Sequence, residues 1–73
     1  MNKVKEIPVA VRKRMVVKDA IRQVAPKCVA NFEIPMSALN YIEYGNRMRK
    51  KPVRASYDYV SNVMHEMLDN KEI

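Results

Sequence analysis

The sequence predicts a mainly α domain with a minor β element. Three helices form a helix-turn-helix-like core, and a short sheet joins the N-terminal arm to residues 28 to 34. Three observations lead there. Apolar residues recur at helical spacing in three separate stretches. Pro8, Pro26, Pro35 and Pro52 stand between those stretches, where proline starts or stops a helix. Two short segments alternate instead with the period of a strand. Seventy-three residues suffice for one domain with a small core, divided into an extended arm over residues 1 to 8 and a helical core over residues 9 to 73.

The arm reads Lys3, Val4, Lys5, Glu6, Ile7, Pro8. Pro8 pushes Ile7 toward extended geometry, so the segment is an arm or an edge strand, and Val9 to Val11 are placed to continue it. From about Arg12 to Ala25 the pattern is helical. Val17, Ala20, Ile21 and Val24 share one face, and Pro26 ends the run. In residues 28 to 34, Phe32 and Ile34 alternate with Asn31 and Glu33, which predicts a strand with one buried side. A second helix is expected from Met36 or Ser37. Met36, Leu39 and Ile42 form its apolar face, and it stops at Gly45 or runs on to Lys50. A basic loop around Pro52 leads to Ser56, an N-cap residue, with Asp58 in the first turn. Val60, Val63, Met64, Met67 and Leu68 then follow the amphipathic pattern closely and are expected in the core.

Composition excludes several classes of function. Cys28 is the only cysteine and His65 the only histidine, so neither an intrachain disulfide nor a zinc site of about four ligands can be assembled. Cys28 is expected as a small buried apolar residue in a reducing compartment. Gly45 is the only glycine, which removes glycine-rich phosphate loops. The pairs Asp58 with Glu66 and Glu33 with Glu43 would need a pocket to tune them for acid–base chemistry, and 73 residues leave little room for one. No catalytic residue, metal or cofactor is assigned, and the expectation is a non-enzymatic protein. Apolar runs reach only three residues, far short of the roughly 20 that span a bilayer. No signal-peptide core follows the basic N-terminus, so a cytoplasmic location is expected.

Charge supplies the functional reading. The chain carries +6, unevenly distributed. Residues 1 to 29 hold eight cations, including Arg12, Lys13 and Arg14. Residues 47 to 54 hold Arg47, Arg49, Lys50, Lys51 and Arg54 with no acid. Residues 55 to 73 net −3. A basic loop is often no more than a solvated segment, yet five cations in eight residues favour a phosphate or an acidic protein patch as ligand. Tyr41, Tyr44, Tyr57 and Tyr59 fit edge-of-core packing, an interface, or a stacking surface for bases. The six methionines fit either core filling or an adaptable binding face.

The stretch from Ser56 to Ile73 resembles the third helix of winged helix-turn-helix regulators. That resemblance would make Tyr57, Tyr59, Ser61 and Asn62 DNA-reading positions in the major groove. The length, the two basic zones and the arm from Lys3 to Pro8 resemble a second group, the small phage proteins that bind host RNA polymerase. That resemblance implies a transcription regulator acting in the host cell, with the polymerase β′ subunit as its partner. Such a regulator inhibits initiation by displacing σ, promotes antitermination, or does both. Lys3, Val4, Lys5, Ile7 and Val9 would then dock on the polymerase. Arg12, Lys13, Arg14, Arg47, Arg49, Lys50, Lys51 and Arg54 would face acidic protein, DNA or nascent RNA. The two resemblances diverge on the last helix. Its own segment is acidic, so the charge map favours the basic loop and the arm over a DNA-reading helix.

Overall fold

A computed structural model describes residues 8 to 73. Lys3, Val4, Lys5 and Ile7 of the expected docking arm lie outside the described residues. The order is α1 over Val9–Val24, α2 over Ile34–Asn46 and α3 over Tyr57–Asp69, with short 3-10 turns at Ala25–Lys27 and Asn31–Glu33. All three helices contact one another. Lys13 meets Tyr59 and Lys18 meets Glu72, so α1 and α3 run in the same direction, with α2 returning between them.

The expected minor sheet is not found: among the described residues there is no strand. Val9 to Val11, read as a continuation of the arm, are the first turn of α1 instead. Pro8 holds extended dihedrals (φ −55°, ψ 146°), and its carbonyl accepts the Arg12 N–H at 2.9 Å. Proline thus sits at the N-cap, where its missing N–H costs nothing, and the valines cost only a few tenths of a kcal/mol each in helix propensity.

Residues 28 to 34 correct the other half of the sheet. Glu33 donates its N–H to the Ala30 carbonyl at 3.0 Å, and its carboxylate accepts the Val29 N–H at 3.2 Å. Those local bonds close a turn. A strand here would have no described partner to take its backbone groups, and such groups must be paired or hydrated. Phe32, placed on the buried side by the alternation, is 76% exposed, whereas Ile34 is buried.

Ile34 starts α2 two or three residues earlier than expected, because Pro35 is accommodated in the first turn. The buried face also shifts. Ile34, Pro35, Ala38 and Ile42 point inward, Leu39 packs at the margin, and Met36 is exposed. Gly45 does not stop the helix in a left-handed conformation. It lies inside α2, and its missing Cβ leaves room for the Arg49 guanidinium, whose Nη1 would lie 2.8 Å from a Cβ there.

The core joins Val17, Ala20, Ile21 and Val24 of α1 to the α2 face, to Val53 of the loop, and to Val60, Val63, Met64 and Met67 of α3. The α1 and α3 faces match the periodicity in the sequence, except that Leu68 is only partly buried. Ser56 caps α3 as expected, its Oγ accepting the Tyr59 N–H at 3.1 Å. At the other end Lys71 adopts a left-handed conformation (φ 58°). The N–H groups of Lys71 and Glu72 donate to the carbonyls of Leu68 and Met67. This is a Schellman motif with lysine where glycine is usual.

Candidate functional site

The site is built where the first turns of α1 meet the ten residues from Arg47 to Ser56 that join α2 to α3. That connection is too long for the 3–4-residue turn of a helix-turn-helix, and side-chain hydrogen bonds fix its course. Asn46, the last residue of α2, accepts the Val53 N–H at Oδ1 (3.0 Å) and donates from Nδ2 to the Val53 carbonyl (2.9 Å). The same Oδ1 accepts from Arg49 Nη1 at 2.9 Å, and that nitrogen also donates to the Ile42 carbonyl at 3.2 Å. Arg49 is therefore a cap on the end of α2. From α1, Arg12 Nη2 donates to the Lys51 carbonyl at 2.6 Å and ties the loop down.

Between these elements lies a groove of about 470 Å³ lined by Val9, Arg12, Lys13, Pro52, Val53 and Arg54. Three of its six lining residues are cationic and none is acidic. Lys13 Nζ sits 4.3 Å from the centroid of the Tyr59 ring, a cation–π contact that holds the ammonium at the groove's α3 side. Two basic zones far apart in the sequence thus become one surface. Val9, expected in the docking arm, belongs to it as well.

The other three cations of α1 are paired with two carboxylates. Arg14, Lys18 and Arg22 lie four residues apart along one ridge. Arg14 pairs with Glu66, while Lys18 and Arg22 both reach Glu72 Oε1 at 2.9 Å. The Glu72 carboxyl is held below its ordinary range, chiefly by the hydrogen bond from Lys18 and also by the charges of Lys18 and Arg22, against an opposing effect of desolvation that is smaller than the hydrogen bond. Arg14, counted above among the partner-facing cations, is committed to this intramolecular pair. Arg47 leans over Tyr44 at 5.8 Å, on the outward side of α2, and does not line the groove. Lys50 and Lys51 lie on the loop, both exposed.

The four positions named as DNA-reading do not form one face of α3. At 100° per residue Tyr57 and Ser61 fall on one flank and Tyr59 on the other, where it packs beside the core under Lys13. The outward stripe is Asp58, Asn62, His65 and Asp69, all exposed, with Glu66 at its edge. Cys28 is half-buried, with its Sγ 3.7 Å from Ser37 Oγ. A second cleft of about 450 Å³ lies at the far end of α1, between Ala25, Pro26, Ile34, Leu68 and Ile73. It is mostly apolar, and its two charged residues, Arg22 and Glu72, are paired with each other.

Sequence reasoning missed Asn46, which shapes the loop, and Glu72, which pairs with two of the three cations on the α1 ridge. Nothing in their local sequence marks either one, because both act on segments remote in the chain or across a tight turn. No helix among the described residues is long and apolar enough to cross a membrane. No family of known proteins matches the chain, and neither a curated protein nor a solved structure is detectably similar to it.

Proposed function

We propose that this protein is a non-enzymatic regulator of transcription that works in the cytoplasm of a host cell by binding bacterial RNA polymerase through the basic groove. The carrying observation is the convergence of Arg12, Lys13 and Arg54 on one surface with no acid among the described residues that line it, while Arg14, Lys18 and Arg22 are offset by Glu66 and Glu72 to a remainder of one positive charge. A field concentrated in this way attracts a polyanion and steers its approach. It suits an acidic element of a large enzyme or the nucleic acid that enzyme carries. The resemblance in length, charge zoning and arm to small polymerase-binding phage regulators supplies the choice of enzyme, and with it inhibition of initiation, antitermination, or both.

The rival, a sequence-specific regulator with α3 in the major groove, is disfavoured by electrostatics. Its outward stripe presents Asp58 and Asp69 to what would be phosphate-lined walls. The long α2–α3 connection points the same way.

The test is capture of polymerase from a nuclease-treated bacterial lysate by the intact chain. The wild type should retain the enzyme, and the triple variant Arg12→Ser, Lys13→Ser, Arg54→Ser should lose it while keeping its helical circular dichroism. Full capture by the folded triple variant would remove the groove from the mechanism. Tight binding of the wild type to a bare DNA duplex, with no polymerase captured, would move the assignment to the rival.

A further inference from the structure

The outward face of α2 is exposed and self-complementary, and we infer that it pairs two copies of this chain in an antiparallel dimer. Glu33 and Arg47, which flank α2, both keep right-handed helical dihedrals, so the helical register extends through them. At 100° per residue, Glu33, Met36, Tyr44 and Arg47 all fall within about 40° of Asn40. The buried residues Ala38 and Ile42 lie on the opposite side. On this outward stripe Met36 is 54% and Tyr44 71% exposed, and Phe32 and Met48 beyond its two ends are more than three-quarters exposed. So much large apolar surface along one helix marks an interaction site.

The pattern of charge selects the occupant. A two-fold axis through Asn40 sets each residue opposite the one equally distant on the other side. Glu33 of one copy then faces Arg47 of the other, twice. Met36 faces Tyr44, twice, placing a thioether against an aromatic ring. Asn40 faces its own copy, and an amide offers both a donor and an acceptor to its twin. A parallel pairing would instead bring Glu33 to Glu33 and Arg47 to Arg47. The face therefore carries the signature of an isologous contact, in which one patch is its own complement. The basic groove lies elsewhere, on α1 and the loop, so this pairing stands independently of the function proposed above.

Sedimentation equilibrium of the full chain, from micromolar to millimolar concentration, tests it. The wild type should associate as a dimer, and a strictly monomeric wild type at millimolar concentration would overturn the inference. Glu33→Arg and Arg47→Glu should each weaken self-association about tenfold or more, because each sets like charges opposite one another. An equimolar mixture of the two variants should recover it. In the mixed pair the introduced arginine meets the introduced glutamate, and the unaltered Arg47 of one chain meets the unaltered Glu33 of the other. Failure of the mixture to associate, with both variants folded by circular dichroism, would exclude the antiparallel geometry. Should Glu33→Arg disturb the turn that Glu33 closes, Tyr44→Lys carries the test from an exposed position. Dimerisation at wild-type strength by Tyr44→Lys would overturn the inference.

Discussion

Asn46 satisfies both backbone hydrogen-bonding groups of Val53 with one side chain, at 3.0 and 2.9 Å. The amide imitates a strand partner for a single residue of a loop that has no strand beside it among the described residues. Val53 is itself core, only 5% exposed, so neither its N–H nor its carbonyl has ready access to water. The clasp is what lets Val53 be buried while its neighbour Arg54 faces the groove. Replacing Asn46 with Ala leaves a buried donor and acceptor unpaired, at a cost of about 2–3 kcal/mol. That is a large part of the few kcal/mol that hold a small domain folded, on the order of 5. Urea denaturation followed by circular dichroism measures it. A loss below about 1 kcal/mol would mean that water replaces the amide without penalty.

The left-handed Lys71 offers the opposite experiment. A non-glycine residue there costs about 1–2 kcal/mol, and glycine would relieve it at the expense of about 0.4–1 kcal/mol of extra unfolded-state entropy. Lys71→Gly should therefore stabilise the domain by about 0.5–1 kcal/mol in thermal or urea unfolding. Destabilisation by this variant would show that the Lys71 side chain makes contacts worth more than its backbone strain. The turn also aims Glu72 at α1, so the same strained backbone sets one carboxylate against both Lys18 and Arg22.

That ion triad predicts a pH dependence. The Glu72 carboxyl is depressed in the folded state, first by the Lys18 hydrogen bond and also by the Lys18 and Arg22 charges. A group whose pKa falls on folding contributes stability that is fully present above its unfolded pKa and is lost as pH falls through its folded one. The stability difference between wild type and Glu72→Gln should be constant near neutrality and shrink to nothing in acid, below the ordinary glutamate range. High salt should reduce it too, because the carboxylate is partly exposed. A difference that persists unchanged at acid pH would assign the effect of Glu72 to packing rather than to charge.

The parts legible in the sequence share one property: their determinants are local. Ser56, Asp58 and the spacing of Val60, Val63, Met64 and Met67 define α3 within a few turns, and the structure places each where the pattern put it. The misread parts depend on something distant. An alternating run such as Asn31 to Ile34 is a strand only if a second strand accepts its backbone, and so short an alternation carries no information about that partner. The α2 face was misassigned because Met36 has the right chemistry for a core, while the small Ala38 and the ring of Pro35 take the interior. The groove was half legible. Its cations stood out as two dense zones, but whether a cation is available or cancelled depends on which residues α3 sets beside α1.

That distinction between available and cancelled charge yields the sharpest prediction. Arg14→Gln and Arg54→Gln remove the same single charge from a chain of +6. A partner that responds to net charge alone will lose the same affinity for both. Arg54 lines the groove, whereas Arg14 spends its charge on Glu66. In a binding titration with purified bacterial RNA polymerase, Arg54→Gln should weaken affinity by about tenfold, the scale of one well-placed ionic contact, or about 1.4 kcal/mol. Arg14→Gln should change it by less than about twofold. Its effect on folding should be small as well, at most about 0.5 kcal/mol after screening, since the pair is 42% and 50% exposed. Equal losses from the two variants would show that the partner reads the overall charge of the domain. A larger loss from Arg14→Gln would place the binding surface on the α1–α3 ridge and not in the groove.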